Sequence, residues 1–166
     1  MTTAATNEQL KDLIRSNADI YPMHMDEIVF KASTLAVDDI RGPDASNKHC
    51  VVWPFVFKSE LANLHDKLHG GMAAYLVDAI TSIHLALIDG RQQHVSMHLS
   101  LNYIRPVPIG ETVLLKTFIN GRGKTAAFLE AEFWSADDKV IYLTATHSKI
   151  FVGKERDSSN KKVAKL

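Results

Sequence analysis

The sequence predicts an α+β fold: a curved antiparallel sheet of five to six strands wrapped around one long central helix, with a short N-terminal helix. Three observations carry this. Residues 72–88 are almost wholly apolar, and a helix apolar nearly all round needs protein on every side. The segment "HVSMHLSLNYI" from His94 alternates polar and apolar residues at the period of a strand. Three more strand-like runs follow it, separated by short turn sequences, as in an antiparallel meander.

In chain order, "NEQLKDLIRSN" over residues 7–17 spaces Leu10, Leu13 and Ile14 at helical intervals behind Asn7 and Glu8, which suit a cap and first turn. Residues 26–37 and 49–58 are rich in β-branched and aromatic side chains and read as strands, with Pro54 demanding an edge or a bulge. A polar connector, "SELANLHDKLHGG", leads to the helix of residues 72–88, with Gly70 and Gly71 read as a tight turn. In the strand from His94, the polar residues His94, Ser96, His98, Ser100 and Asn102 share one face, and Val95, Met97, Leu99, Leu101 and Tyr103 the other. "RPVPIGE" turns the chain into strands over 111–120, 124–134 and 139–152, joined by "NGRGK" and "SADDK". With 166 residues and 46% hydrophobic content, one core is expected: an N-terminal helical segment over 1–25, a domain over 26–152 and a polar tail over 153–166.

Composition excludes several classes. The 19 basic residues balance the 19 acidic ones, so no surface tracks the phosphates of a nucleic acid. The apolar run is short for a membrane span and carries Asp78, Thr81, Ser82 and His84. The lone Cys50 and the absence of an apolar leader fit a reducing interior compartment. "HDKLH" superficially resembles the helical zinc motif, but Gly70 and Gly71 follow at once and the acid is Asp66, so no metal site is expected and His65 reads as a solvated loop residue. "GRGKT" lacks the first glycine of a phosphate loop, Phe118 standing there, and reads as a basic hairpin turn. There is no G-x-S-x-G elbow.

What is left is the His69-Gly70-Gly71 opening and the carboxylate of Asp78 within the apolar run. A helix N-terminus offers free N–H groups, and glycine lets a ligand approach them, a suitable arrangement for the oxyanion of acyl transfer. A desolvated Asp78 would have a raised pKa and act as base or nucleophile, unless Ser82 or backbone donors merely satisfy it in the core. Gly70 and Asp78 stand eight residues apart, roughly 12 Å of helix rise, so one carbonyl group cannot touch both. Two-fold pairing of antiparallel helices would bring Asp78 of one chain to Gly70 of the other and close the helix's open side.

The segments "NLHDKLHGGMAAYLVDAITS", "HVSMHLSLNYIRPVPIGE" and "GRGKTAAFLEAEFW" together resemble the hotdog-fold acyl-CoA thioesterases of the phenylacetyl-CoA thioesterase and thioesterase superfamily member 2 type, over residues 55–152. The resemblance implies hydrolysis of acyl-CoA to free acid and coenzyme A in a homodimer or dimer of dimers, without a cofactor or metal. It implies that Asp78 acts across the interface as nucleophile or general base, that Gly70 N–H polarises the thioester carbonyl, and that Asn63, His69 and Ser96 position the participants. Coenzyme A contacts map to Tyr103, Arg105 and Pro106 and to Arg122, Lys124 and Thr125. The first fifty residues follow no pattern of that family, and "VVWPFVF" is bulkier than its strand.

A non-catalytic acyl-CoA binding dimer would share this fold, whereas an enoyl-CoA hydratase would carry a "GD-x-N-P" stretch that the sequence lacks. The final residues Ala164, Lys165 and Leu166 resemble the peroxisomal address S-K-L, which implies a peroxisomal import receptor as partner, with cytoplasm or mitochondria as the alternative locations.

Overall fold

A computed structural model describes residues 33–35, 50–89 and 93–152. The expected N-terminal helix, the segment over 1–25 and the tail over 153–166 lie outside these residues. Among the described residues, six strands form one antiparallel sheet: β1 (Ser33–Leu35), β2 (Cys50–Phe57), β3 (His94–Tyr103), β4 (Thr112–Arg122), β5 (Ala126–Ser135) and β6 (Ile141–Phe151). Their spatial order is β1-β2-β4-β5-β6-β3, which leaves β3 at one edge. A 3-10 turn (Ser59–Leu61) and helix α1 (Gly70–Asp89) lie between β2 and β3, and α1 packs against β3, β4, β5 and β6.

The aromatic bulk of β2 is core. Trp53, Phe55 and Phe57 are fully buried with Leu76, Val77 and Ile80 of α1, and Phe57 sits 6.3 Å from the Phe133 ring of β5. Pro54 pairs with Leu114, while β1 covers only Phe55 to Phe57. Among the described residues, then, β2 is an edge at Pro54, where a missing N–H costs no ladder bond. No bulge is present there, since the pairing with β4 runs unbroken from Cys50 to Val56. A buried polar ladder crosses the same interior: Trp53 Nε1 donates to Thr117 Oγ1 at 2.8 Å, and Thr117 Oγ1 meets His84 Nδ1 at 2.9 Å.

Two sequence expectations need correction. First, Gly70 and Gly71 are the first turn of α1, not a turn before it: the His69 carbonyl accepts from Met72 N and Ala73 N, and His69 Nδ1 accepts from Gly71 N at 3.0 Å. Secondly, β3 does not alternate strictly. Ser96 pairs with Lys149 but His98 pairs with Ser148, so Met97 is the extra residue of a bulge. The bulge exchanges the two faces. His94 and Ser96 share the helix-facing side with Leu99, Leu101 and Tyr103, opposite Phe151, Lys149, His147, Ala145 and Leu143, while His98 moves to the other side.

Candidate active site

The N-terminal part of the site is built by short-range bonds. Asn63 Oδ1 accepts from His65 N at 2.8 Å and Lys67 N at 3.3 Å, closing a turn in which Asp66 takes the left-handed conformation. That turn delivers His69 to its cap position. Gly70 then begins the helix, and its N–H has no acceptor among the described residues. Tyr103, at the end of β3, reaches over it: the phenol donates to Gly70 O at 2.8 Å, and a Cβ on Gly70 would lie 3.4 Å from the ring. His65 is exposed, and no group of His, Cys, Asp or Glu that could hold a metal occurs among the described residues.

The second part lies two turns along α1. Asp78 is 47% exposed at its side chain, beside Lys149 at 2% and His147 at 0%. Ser82, the sequence's core partner for Asp78, donates to its backbone carbonyl and leaves the carboxylate alone. Instead Ser96 Oγ meets Asp78 Oδ1 at 2.9 Å, Lys149 Nζ meets the same oxygen at 3.2 Å, and His147 Nε2 stands 3.5 Å from it. Lys149 Nζ also donates to Ser96 Oγ at 3.1 Å.

His147 is held at both ring nitrogens. Thr81 Oγ1, which donates to Val77 O at 2.6 Å, meets His147 Nδ1 at 2.7 Å. Ser96 Oγ lies 3.0 Å from His147 Nε2. Burial, reinforced by the Lys149 charge, pushes this imidazole down to about 4 against the pull of Asp78.

Asp78 itself departs from expectation. Burial does raise its pKa, but Lys149, the bonds from Ser96 and Lys149, and His147 outweigh that and hold it below the ordinary 3.8. The carboxylate is a stabilised anion, not the raised-pKa base that an apolar helix implies. Lys149 shows the converse: burial lowers its pKa, and Asp78 opposes the shift.

Residues 65–142 match the family model of the thioesterase superfamily. This stretch belongs to the thioesterase superfamily. Outside α1, the superfamily segment supplies Ser96 and Tyr103, while Lys149 and His147 lie just beyond the matched residues. Among curated relatives, the chain is 30% identical over 84 residues to 1,4-dihydroxy-2-naphthoyl-CoA thioesterase 2 of Arabidopsis thaliana, covering 47% of this chain and 54% of that protein. It is likewise 30% identical over 82 residues to acyl-coenzyme A thioesterase 13 of Mus musculus, covering 49% of this chain and 59% of that protein. The chain thus spans little more than half the length of these two relatives. The zebrafish thioesterase superfamily member 2 structure superposes with a TM-score of 0.72 at 23% identity, over 89% of this chain and 99% of that one, and supports the hotdog thioesterase fold.

Within the thioesterase fold the remaining expected residues fall at two separate places. Arg105, just past Tyr103, spends its guanidinium on Ile141 O at 2.9 Å, and Pro106 beside it is exposed. Arg122, Lys124 and Thr125 form the exposed β4–β5 turn, where Arg122 lies over the Phe151 ring and Thr125 O accepts from Phe151 N. Tyr103 pairs with Leu143 and His94 with Phe151, so these places are eight rungs apart on β6, roughly 26 Å. One chain does not bring them together. His147 and Lys149 escaped the sequence reading altogether; their signal is that two titratable residues occupy the buried face of β6, at positions flanked by Leu143, Ala145 and Phe151.

Proposed function

We propose that the protein is an acyl-CoA thioesterase that works as a homodimer, itself able to pair into a dimer of dimers. The observation that carries this reading is the fixed, half-exposed Asp78 carboxylate on the same helix as, and two turns from, the unpaired Gly70 N–H. The two groups are complementary but too far apart to share a carbonyl within one chain. Pairing of two chains along the exposed β3 edge, where Val95 and Met97 face solvent, would set Asp78 of one against Gly70 of the other. It would also unite the Arg105 region of one chain with the Arg122–Thr125 turn of its partner around one coenzyme A.

In this reading Gly70 N–H polarises the thioester carbonyl, and Tyr103 holds the glycine's own carbonyl out of the way. Asn63 and His69 shape the loop that places the N–H. Asp78 attacks the acyl carbon or orients a water that does, with Ser96 beside it. The C–S bond then breaks, coenzyme A leaves as thiol, and water supplies the acid's oxygen and the thiol's proton. No bound cofactor or metal is needed for these steps. The names of the plant and mouse relatives, both CoA thioesterases, support the substrate class. Ala164, Lys165 and Leu166 would send the enzyme to peroxisomes, an assignment that deletion of the three residues tests through a change in cellular distribution.

Release of free thiol from a panel of acyl-CoAs tests the reaction. The wild type is expected to exceed the buffer rate on at least one acyl class, and Asp78→Asn to lose most of that turnover. A non-catalytic acyl-CoA binder would release no thiol and keep its affinity in Asp78→Asn.

A further inference from the structure

We propose that Lys149 is a positioning residue for this chemistry: with Ser96 it clamps Oδ1 of Asp78, so that Oδ2 alone is presented to the substrate. The inference rests on the thioesterase reading and deepens it. Three groups converge on Oδ1, namely Ser96 Oγ at 2.9 Å, Lys149 Nζ at 3.2 Å and His147 Nε2 at 3.5 Å. Oδ2 has no partner among the described residues, and the carboxylate is half open to solvent.

Lys149 is 2% exposed, and a buried ammonium is costly unless it is paired and hydrogen-bonded. Its donors go to the two residues named for the reaction, Asp78 and Ser96. His147 shares its strand face, but with its pKa near 4 it is uncharged at neutral pH. From β3, His94 and His98 act on His147. Within the cluster around Asp78, the countercharge is therefore Lys149. Replacing the charge would leave burial opposed only by the Ser96 bond and His147, and Asp78 would take a proton at higher pH.

An ion pair that merely pins α1 to the sheet would change the melting temperature and the Asp78 titration and leave kcat alone. Lys149→Gln keeps a donor and removes the charge, and Lys149→Arg keeps the charge. The experiment compares kcat, KM and the acid limb of kcat/KM in the full chain, alongside a 13C NMR titration of the Asp78 carboxyl. Lys149→Gln is expected to lower kcat at least tenfold with KM changed less than threefold, and to move both the acid limb and the NMR midpoint up by about one pH unit or more. Lys149→Arg should hold both near the wild-type position, below 3.8. An NMR midpoint unchanged in Lys149→Gln would overturn the proposal, whether or not the protein turns over, and so would a kcat within threefold of wild type in a folded Lys149→Gln variant. An absence of thiol release by the wild type would instead remove the thioesterase reading, leaving the titration to decide the role of Lys149.

Discussion

At the start of α1, the bonds of Asn63 and His69 reach no further than eight residues along the chain, and only Tyr103 reaches Gly70 from afar. Eight residues later, the Asp78 carboxylate is held by Ser96 at a separation of 18 and by Lys149 at 71. One region is made by local chain geometry. The other exists only once β3 and β6 have paired and α1 has packed on them. The first should tolerate single changes through small readjustments, whereas the second concentrates charge and burial on a few side chains that cannot readjust independently.

The largest effect expected from this contrast is on stability against pH. His147 is held neutral with a pKa of about 4, whereas an unfolded chain protonates it near 6.5, so the unfolded state takes the proton first as pH falls. Stability should be level above pH 6.5, drop by on the order of 3 kcal/mol between 6.5 and 4, and then level off for this group. The depressed pKa of Asp78 adds a further loss below pH 3.8. Urea titrations across this range should show the drop in the wild type and a flattened profile in His147→Gln. An equal slope in both proteins would mean that His147 is not buried as a neutral base.

Next is Ser96, which the bulge at Met97 sets on the helix-facing side with Leu99. Ser96→Ala removes the hydroxyl that meets Asp78 Oδ1 at 2.9 Å and stands 3.0 Å from His147 Nε2. Thiol release should fall about tenfold or more, as for a misplaced catalytic constellation, with the melting curve run as the control for folding. Wild-type turnover in a folded Ser96→Ala variant would show that Asp78 does not need this hydroxyl.

In the local region the effects shrink. Asn63→Ala removes the acceptor of His65 N and Lys67 N and should cost about 1 kcal/mol in denaturant unfolding. Gly70→Ala places a methyl 3.4 Å from the Tyr103 ring, so a shift of a few tenths of an ångström accommodates it and kcat/KM should fall only a few-fold. Shortening the ring in a Gly70→Ala, Tyr103→Leu double variant should recover part of that loss. A collapse of activity in Gly70→Ala alone would mean the N-terminal region is as intolerant as the middle of the helix.

The same contrast explains what could be read from the sequence. His69, Gly70 and Asp78 were legible because their spacing lies along one helix, and the meander because its turns are punctuated by residues such as Gly123 and Asp138. The faces of β3 were not legible, since a one-residue bulge reverses every side chain beyond it without any mark in composition. Nor was the pKa of Asp78, because the apolar run advertises desolvation while the compensating cation stands 71 residues away. Gly70 and Gly71 read as a turn because glycine is rare inside helices, yet His69 caps them into the first turn.

The claim that one chain lends its carboxylate to another is tested most directly by mixing two inactive chains. Asp78→Asn removes the carboxylate. Gly70→Pro removes the N–H at the first helical position, where proline is tolerated. If each site takes Gly70 from one chain and Asp78 from its partner, a mixed dimer carries one intact site, and random pairing of equal amounts should restore about a quarter of wild-type thiol release. If the two variants together release thiol no faster than either does alone, although mixed dimers have formed, the two-chain site is contradicted.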